Sequence, residues 1–396
     1  MTDRKMITEP MIKGAYQTEQ MDIESYFYSG RPIRLSSQVT LEPHFVTHSV
    51  PAVWQLYNVR TKDGGTINLF NSGDWNVDRN KKVYEVARKL SGRPDVIVME
   101  ATNTGSEKAY LGKNESDVRD TFMELVKDSE NELIVSVAPI NNLTRLRSIM
   151  EVAEATGRKL ALSFPHSELA LQLAAAKKLA PTGAEGFEDV LPYDIGNDRL
   201  TVWAKQMTSP RTFHKALIEI ANRGNLGALT HERLSRENGK WIVVVSPFDV
   251  LEDQFDGLRI NTGMKVVWMA SFPFDQDQRY FIGANNEWMR RSKRVKFVAD
   301  MEVEGQGGRI KSMLHGTGVL HVSGHATAEE MVAITDILVG RDRKNIPVII
   351  NHTENPEEAG RLLSSRLGDR VKVISRLDRY DPTDPIAHPG FYFPLI

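Results

Sequence analysis

Cysteine is absent from all 396 residues. That excludes a disulfide framework, a thiolate nucleophile and a sulfur-ligated metal, so any metal must be held by histidine and carboxylate. Long apolar runs are also lacking. No stretch approaches the length of a membrane span, and the opening MTDRKMITEP has no signal-peptide core. The expectation is a cytoplasmic chain with no membrane partner. Charge of one sign is not in excess: 50 Lys and Arg stand against 52 Asp and Glu, a net charge of −2. The chain as a whole is therefore not a polycation built for nucleic acid, although a locally positive channel on a neutral body remains compatible with RNA work. Two short basic runs exist, Arg290, Arg291, Lys293, Arg294 and Lys296, and then Arg341, Arg343 and Lys344. Runs this short are solvated faces in the first instance. There is no low-complexity tract and no internal repeat.

What is present is the composition of a globular protein, 41% hydrophobic, at a length that fits two domains or one domain with a large insertion. Short β-rich apolar runs occur at 95–100, 133–138, 160–164, 242–246 and 265–270. Helical patterns fall between several of them, near 115–128 and 142–156, the latter ended by Gly157. Such alternation predicts an α/β fold with parallel sheet and helices on its faces. Further on, 318–322 (GVLHV) is expected as a strand. A helix should follow it, opened by Thr327 and Glu330 at capping-box spacing, with Met331, Ile334, Thr335 and Leu338 on one face. A strand at 346–350 (IPVII) then ends at Asn351-His352. The Pro- and Asp-rich segment after 376 reads as an extended tail; the first 35 residues are hard to read, with MIKGAYQTEQ compatible with a helix and SGRPIRL with a turn leading to a strand.

Several polar groups share one arrangement, in which an apolar run and a small residue lead to a histidine or carboxylate. His48 follows FVT, Asp74 follows INLFNSG, Glu100 ends VIVME, His325 follows LHVSG, and His352 follows VIIN. Each alone has an ordinary reading as a hydrogen-bonded surface residue or a turn former. If the strands are neighbours, their ends form one polar cluster suited to Zn²⁺ or Mn²⁺, at the strand-end edge where open α/β sheets place ligands.

The ordered blocks His48-Ser-Val-Pro, Gly73-Asp74-Trp, Glu100-Ala-Thr-Asn, His321-Val-Ser-Gly-His325-Ala and Asn351-His352-Thr-Glu resemble the later motifs of ribonuclease J-like β-CASP proteins of the metallo-β-lactamase fold. The resemblance implies an αββα sandwich, incomplete at its N-terminal side, carrying an inserted α/β domain. The implied boundaries are 1–112 and 309–376 for the sandwich part, 113–308 for the insertion and 377–396 for the tail. It implies metal-dependent phosphodiester hydrolysis, with RNA as substrate and two Zn²⁺ ions, or Mn²⁺, as cofactors. His48, Asp74 and His352 would be metal ligands, Asp74 bridging both ions. Glu100 would organise the site, and His325 would act beside the scissile phosphate. His321, Ser323 and the Gly324 turn would hold that phosphate.

The resemblance also defines a gap. The family's first signature, His-x-His-x-Asp-His, does not occur in this sequence, and the only histidine before His48 is His44, expected at the entrance to the same strand. The missing ligands are expected from a second chain or from an upstream segment, and an exposed sheet edge would favour pairing with another chain or an oligomer. Two other readings stay open: a scaffold subunit that kept the fold without catalysis, and a hydrolase of a small phosphoester.

Overall fold

Among the described residues, apolar strands and amphipathic helices assemble around two separate seven-stranded sheets. The computed structural model describes residues 32–45, 53–77, 82–104, 113–139, 142–163, 200–203, 227–247, 249–255, 258, 263–270, 285, 288, 291–292, 294–299, 303–305, 308–310, 319–353 and 355–374. His48, Arg290 and Lys293 lie outside these residues, as do the expected tail and nearly all of the first 35 positions.

The first sheet is mixed. Strands β1 (Ile33–Arg34), β2 (Val39–Phe45), β3 (Val53–Arg60) and β4 (Thr66–Asn71) form an antiparallel run. Then β4 pairs in parallel with β5 (Val96–Glu100). The second sheet comprises β6 (Leu133–Val137), β7 (Lys159–Leu162), β8 (Leu200–Trp203), β9 (Gly227–Leu229), β10 (Trp241–Val245), β11 (Met264–Trp268) and β12 (Val295–Val298). Every pairing in it is parallel, in the order β12-β11-β6-β10-β7-β8-β9. A small hairpin, β13 (Val303–Gly305) with β14 (Gly308–Ile310), precedes the return to the first sheet. There β15 (Ile346–Asn351) lies beside β5, and β16 (Val371–Ile374) beside β15. The chain is thus α/β with one mixed and one parallel sheet.

Among the described residues five longer helices cover the sheets: α1 (Lys82–Leu90), α2 (Glu115–Lys127), α3 (Leu143–Ala155), α4 (Ala328–Val339) and α5 (Pro356–Leu367). Each buries one stripe at helical spacing, for example Val118, Phe122 and Val126 on α2 and Ala359, Leu363 and Leu367 on α5. In the first sheet Trp54, Leu56, Phe70, Ile97, Met99, Val348 and Ile350 meet α1, α4 and α5 in one core. Trp54 sits edge-on to both Phe70 and Trp75, with ring centroids 5.4 Å apart in each case. The second sheet is buried on both faces. Ile134, Ile242 and Val244 pack with α2 and α3, while Val135, Val243 and Val245 join the opposite core. Continuous apolar strands such as WIVVV follow from that double burial.

Two expectations fail. Residues 319–323 are not a strand. β15 takes the place beside β5, so the first sheet offers GVLHV no neighbour there. Instead Val319, Leu320 and Val322 bury themselves in the core of the second sheet with α2 and α3. His44 is not at a strand entrance but the next-to-last residue of β2, where its Nε2–H donates to Glu42 at 3.0 Å.

Candidate metal centre

Three loops bring the candidate donors to the same edge of the first sheet. The first leaves β4. Gly73, at φ +51°, turns the chain so that Asp74 follows the strand end directly, and a side chain at position 73 would be strained in that conformation. The second follows β15, where His352 itself adopts φ +51°, a conformation that is uncommon without glycine and costs about 1 kcal/mol or more. The Asn351 side chain accepts the His352 N–H at 2.9 Å, and the Thr102 hydroxyl lies 2.8 Å from the His352 carbonyl oxygen. The third is the irregular segment 319–327, which ends at the capping box of α4, Thr327 with Glu330.

Asp74, His325 and His352 each offer a donor atom within 4.8 Å of the others. His352 Nδ1 is 2.5 Å from Asp74 Oδ1, and the two imidazoles stand edge to face with centroids 5.2 Å apart. The site opens to solvent on one side, because the side chains of His352, Asp74 and His325 are 52%, 35% and 20% exposed. Two ring nitrogens and a carboxylate are borderline donors that suit Zn²⁺ or Mn²⁺ and fall one short of a closed tetrahedral shell. An incomplete shell on an open face is what a site needs if water or substrate is to reach the metal.

Glu100 lies behind this cluster, buried at 2% exposure, and its carboxylate connects the Asp74 and His325 loops and, through Thr102, approaches the His352 loop. Its Oε1 accepts the N–H of Trp75 at 3.3 Å, one residue past Asp74, and that of Ala326 at 3.1 Å, one residue past His325. Its Oε2 lies 3.3 Å from His325 Nδ1 and accepts from both the N–H and the hydroxyl of Thr102, at 3.2 and 2.8 Å. Its own N–H donates to the Ser72 hydroxyl at 3.0 Å. A carboxylate accepting this many bonds stays satisfied while buried.

Of the residues singled out in the sequence, Asp74, Glu100, His325 and His352 come together, while His48 is outside the described residues. His321, Ser323 and Gly324 lie on the same irregular segment, with His321 buried and the other two half-buried. The Ser323 hydroxyl is engaged by the Asn103 amide at 2.8 Å and by the His325 N–H at 3.2 Å. Asn103 also donates to the His325 carbonyl at 2.8 Å, and Asn76 to the Ser323 carbonyl at 3.2 Å. Sequence reasoning did not assign roles to Thr102 and Asn103, although they sit inside the Glu100-Ala-Thr-Asn block. Four described members of the basic runs pair with acidic side chains at the surface. Arg343 pairs with Asp95 at 2.8 Å, Lys344 with Asp369 at 2.7 Å, Arg291 with Glu252 at 2.9 Å and Lys296 with Glu132 at 2.7 Å. Among the described residues no helix is long and apolar enough to cross a membrane.

No family model matches the chain. A ribonuclease J from Sinorhizobium meliloti (strain Sm2011 / Rm2011 / 2011) is 24% identical over 155 residues, covering 38% of this chain and 26% of that protein. A crystal structure of a protein of unknown function from Enterococcus faecalis V583 superposes with a TM-score of 0.51 at 14% identity, covering 83% of this chain and 62% of that one. The chain therefore spans well under two thirds of the ribonuclease and somewhat under two thirds of the structural neighbour. The first similarity is a distant link to ribonuclease J, and the second is one of fold.

Proposed function

We propose that this chain is part of a metal-dependent phosphodiester hydrolase acting on RNA, built on a metallo-β-lactamase-type sandwich with an inserted β-CASP-like domain. The observation that carries the reading is the convergence of Asp74, His325 and His352 within 4.8 Å. Those residues come from three of the ordered sequence blocks that resemble ribonuclease J, and the chain is distantly similar to a ribonuclease J. Zn²⁺ is the metal the donor set fits best, with Mn²⁺ also accommodated.

In this reading Asp74, His352 and His325 hold the metal, with His325 on the side that faces the reacting phosphate. When bound, the metal supplies Lewis acidity for the phosphate oxygens and makes an attacking water more acidic. Glu100 keeps His325 oriented through the 3.3 Å contact to Nδ1, which leaves Nε2 to meet the ligand. Ser323, Gly324 and the buried His321 shape the wall against which the phosphate rests. The remaining donors, His48 and the equivalents of His-x-His-x-Asp-His, complete a two-metal site, the latter supplied by a second chain or segment. The boundaries 1–112, 113–308 and 309–376 are the proposed division between sandwich and insertion.

The test is metal content by elemental analysis of the purified chain, followed by cleavage of labelled RNA and of a small phosphodiester with Zn²⁺ or Mn²⁺ added. Stoichiometric metal that is lost in Asp74→Ala supports the reading, with RNA cleavage expected once the chain or segment carrying the missing donors is supplied. Bound metal with cleavage of the small ester alone moves the substrate to that class. A folded chain that takes up no metal favours a scaffold subunit of the same fold.

A further inference from the structure

The irregular segment 319–326 carries His325 but begins in a different core from the one in which it ends. Val319, Leu320 and Val322 are buried with α2 and α3 against the second sheet, whereas Ala326 belongs to the core of the first. The segment is neither strand nor helix, so side chains must hold its path. At its far end Glu100, the last residue of β5, and Asn103 in the turn after it do so. At its near end the Thr121 hydroxyl of α2 accepts the Val319 N–H at 3.0 Å, and Arg145 of α3 donates to the Leu320 carbonyl at 2.9 Å.

Arg145 is fully buried. Its Nε and Nη2 meet the two carboxylate oxygens of buried Glu115 at 2.5 and 3.0 Å, and its Nη1 also donates to the Met269 carbonyl just past β11. Its position does not serve α3 locally. Asn142 caps that helix and accepts the Arg145 N–H at 2.9 Å, so the guanidinium sits in the first turn, where the helix dipole disfavours a cation. A buried ion pair is also a poor source of net stability compared with apolar packing of the same volume. What this pair does provide is a rigid planar fork. Anchored bidentately on Glu115, it fixes one carbonyl at the end of β11 and one in the residue immediately before His321.

We infer that Arg145 is a positioning residue for the candidate metal centre. It acts through the Leu320 carbonyl to set where the second sheet delivers the His325 arm. The inference rests on the metal-centre reading for its function, but its geometric content can be tested apart from metal.

The experiment compares the full-length chain with the double variant Arg145→Met, Glu115→Met, which removes both charges together, and with Arg145→Lys. Each is first checked for a cooperative thermal transition. Two readouts follow: Co²⁺ titration followed by visible absorption, and the ¹⁵N shifts of the His325 imidazole without metal, with His231 as an internal control. The expected result for the double variant is a Co²⁺ affinity lower by about tenfold or more, with an altered spectrum. His325 shifts should be displaced while those of His231 are unchanged, and Arg145→Lys should recover part of each effect. A folded double variant with wild-type Co²⁺ spectrum, affinity and His325 shifts would overturn the inference. If the double variant does not fold, Arg145→Lys decides alone, and wild-type values in it overturn the inference. If the unaltered chain binds no Co²⁺, the metal reading fails, and the His325 shifts still decide whether Arg145 sets that arm.

Discussion

Glu100 touches the segments of Asp74 and His325 and reaches that of His352 through Thr102, so its removal should act on the cluster without deleting a donor. Glu100→Gln keeps the volume but replaces one accepting oxygen by a donor. That NH₂ must then face either the Trp75 and Ala326 N–H groups or the Thr102 N–H, beside His325 Nδ1. The expected outcome is a stability loss of about 1–3 kcal/mol in urea unfolding, since a buried polar group is left mispaired. Metal affinity by calorimetry should fall about tenfold or more, as it does for groups that orient a ligand. Glu42 gives a second prediction at this scale. Burial raises its pKa, but hydrogen bonds from His44 and Arg93, with the charge of Arg93, outweigh burial and hold the carboxyl at about 2 against an ordinary 4.5. A depressed folded-state pKa stabilises fully above the unfolded value and is lost as pH falls through the folded one. With Arg93 partly exposed and its attraction screened, the contribution is about 1–2 kcal/mol. Wild type should therefore exceed Glu42→Gln in stability by that amount at pH 6. The gap should narrow between pH 4.5 and 2, and a gap that does not change with pH would count against the ion-pair account. The candidate site was largely legible because its residues end apolar runs, a local signal. Arg145 was not, since its partners Glu115, Met269 and Leu320 are 30, 124 and 175 positions away and no local pattern encodes them.

The helix α4 begins three residues past His325, so its start fixes the end of the His325 arm. Thr327 accepts the Glu330 N–H at 3.2 Å, and Glu330 accepts the Thr327 N–H at 2.8 Å. Thr327→Ala should cost about 1 kcal/mol in chemical denaturation, with Thr327→Ser close to wild type. An alanine variant as stable as the parent would mean that Met331, Ile334 and Leu338 alone hold the helix. The sequence made this cap visible through its spacing, just as it made β5, β6, β10, β11 and β15 visible through continuous apolar runs. The segment 318–322 shows where that signal misleads. An apolar run reports burial, and burial by packing on α2 and α3 leaves the same trace as burial in a sheet. The antiparallel run β1–β4 was hardest to read. Its residues are buried more completely on the face towards the helices, as with Trp54 and Leu56 against half-buried Gln55 and Tyr57, and its ordering depends on long-range pairing.

The whole molecule joins a mixed sheet whose edge presents Asp74 and His352 to a parallel sheet whose helices hold the start of the His325 arm. A metal gripped by all three residues would therefore couple the two cores, because occupancy requires the β4 loop, the β15 loop and the segment from α2 and α3 to be in place together. Binding to the folded chain alone stabilises it by about 2.7 kcal/mol at a ligand concentration one hundred times Kd. Zn²⁺ at that excess should raise the thermal midpoint of wild type reversibly, with the shift abolished by a chelator. Asp74→Ala and His352→Ala should each remove most of the shift, because two donors on an open face hold a metal far less well than three. If the cores are coupled through His325, amide protection should rise on Zn²⁺ addition in α2 and α3 as well as around β4 and β15. Protection confined to the first sheet would place the metal on Asp74 and His352 alone and separate the second sheet from the centre. Protection in both would mean that the inserted sheet and the metal edge respond to the ligand as one unit.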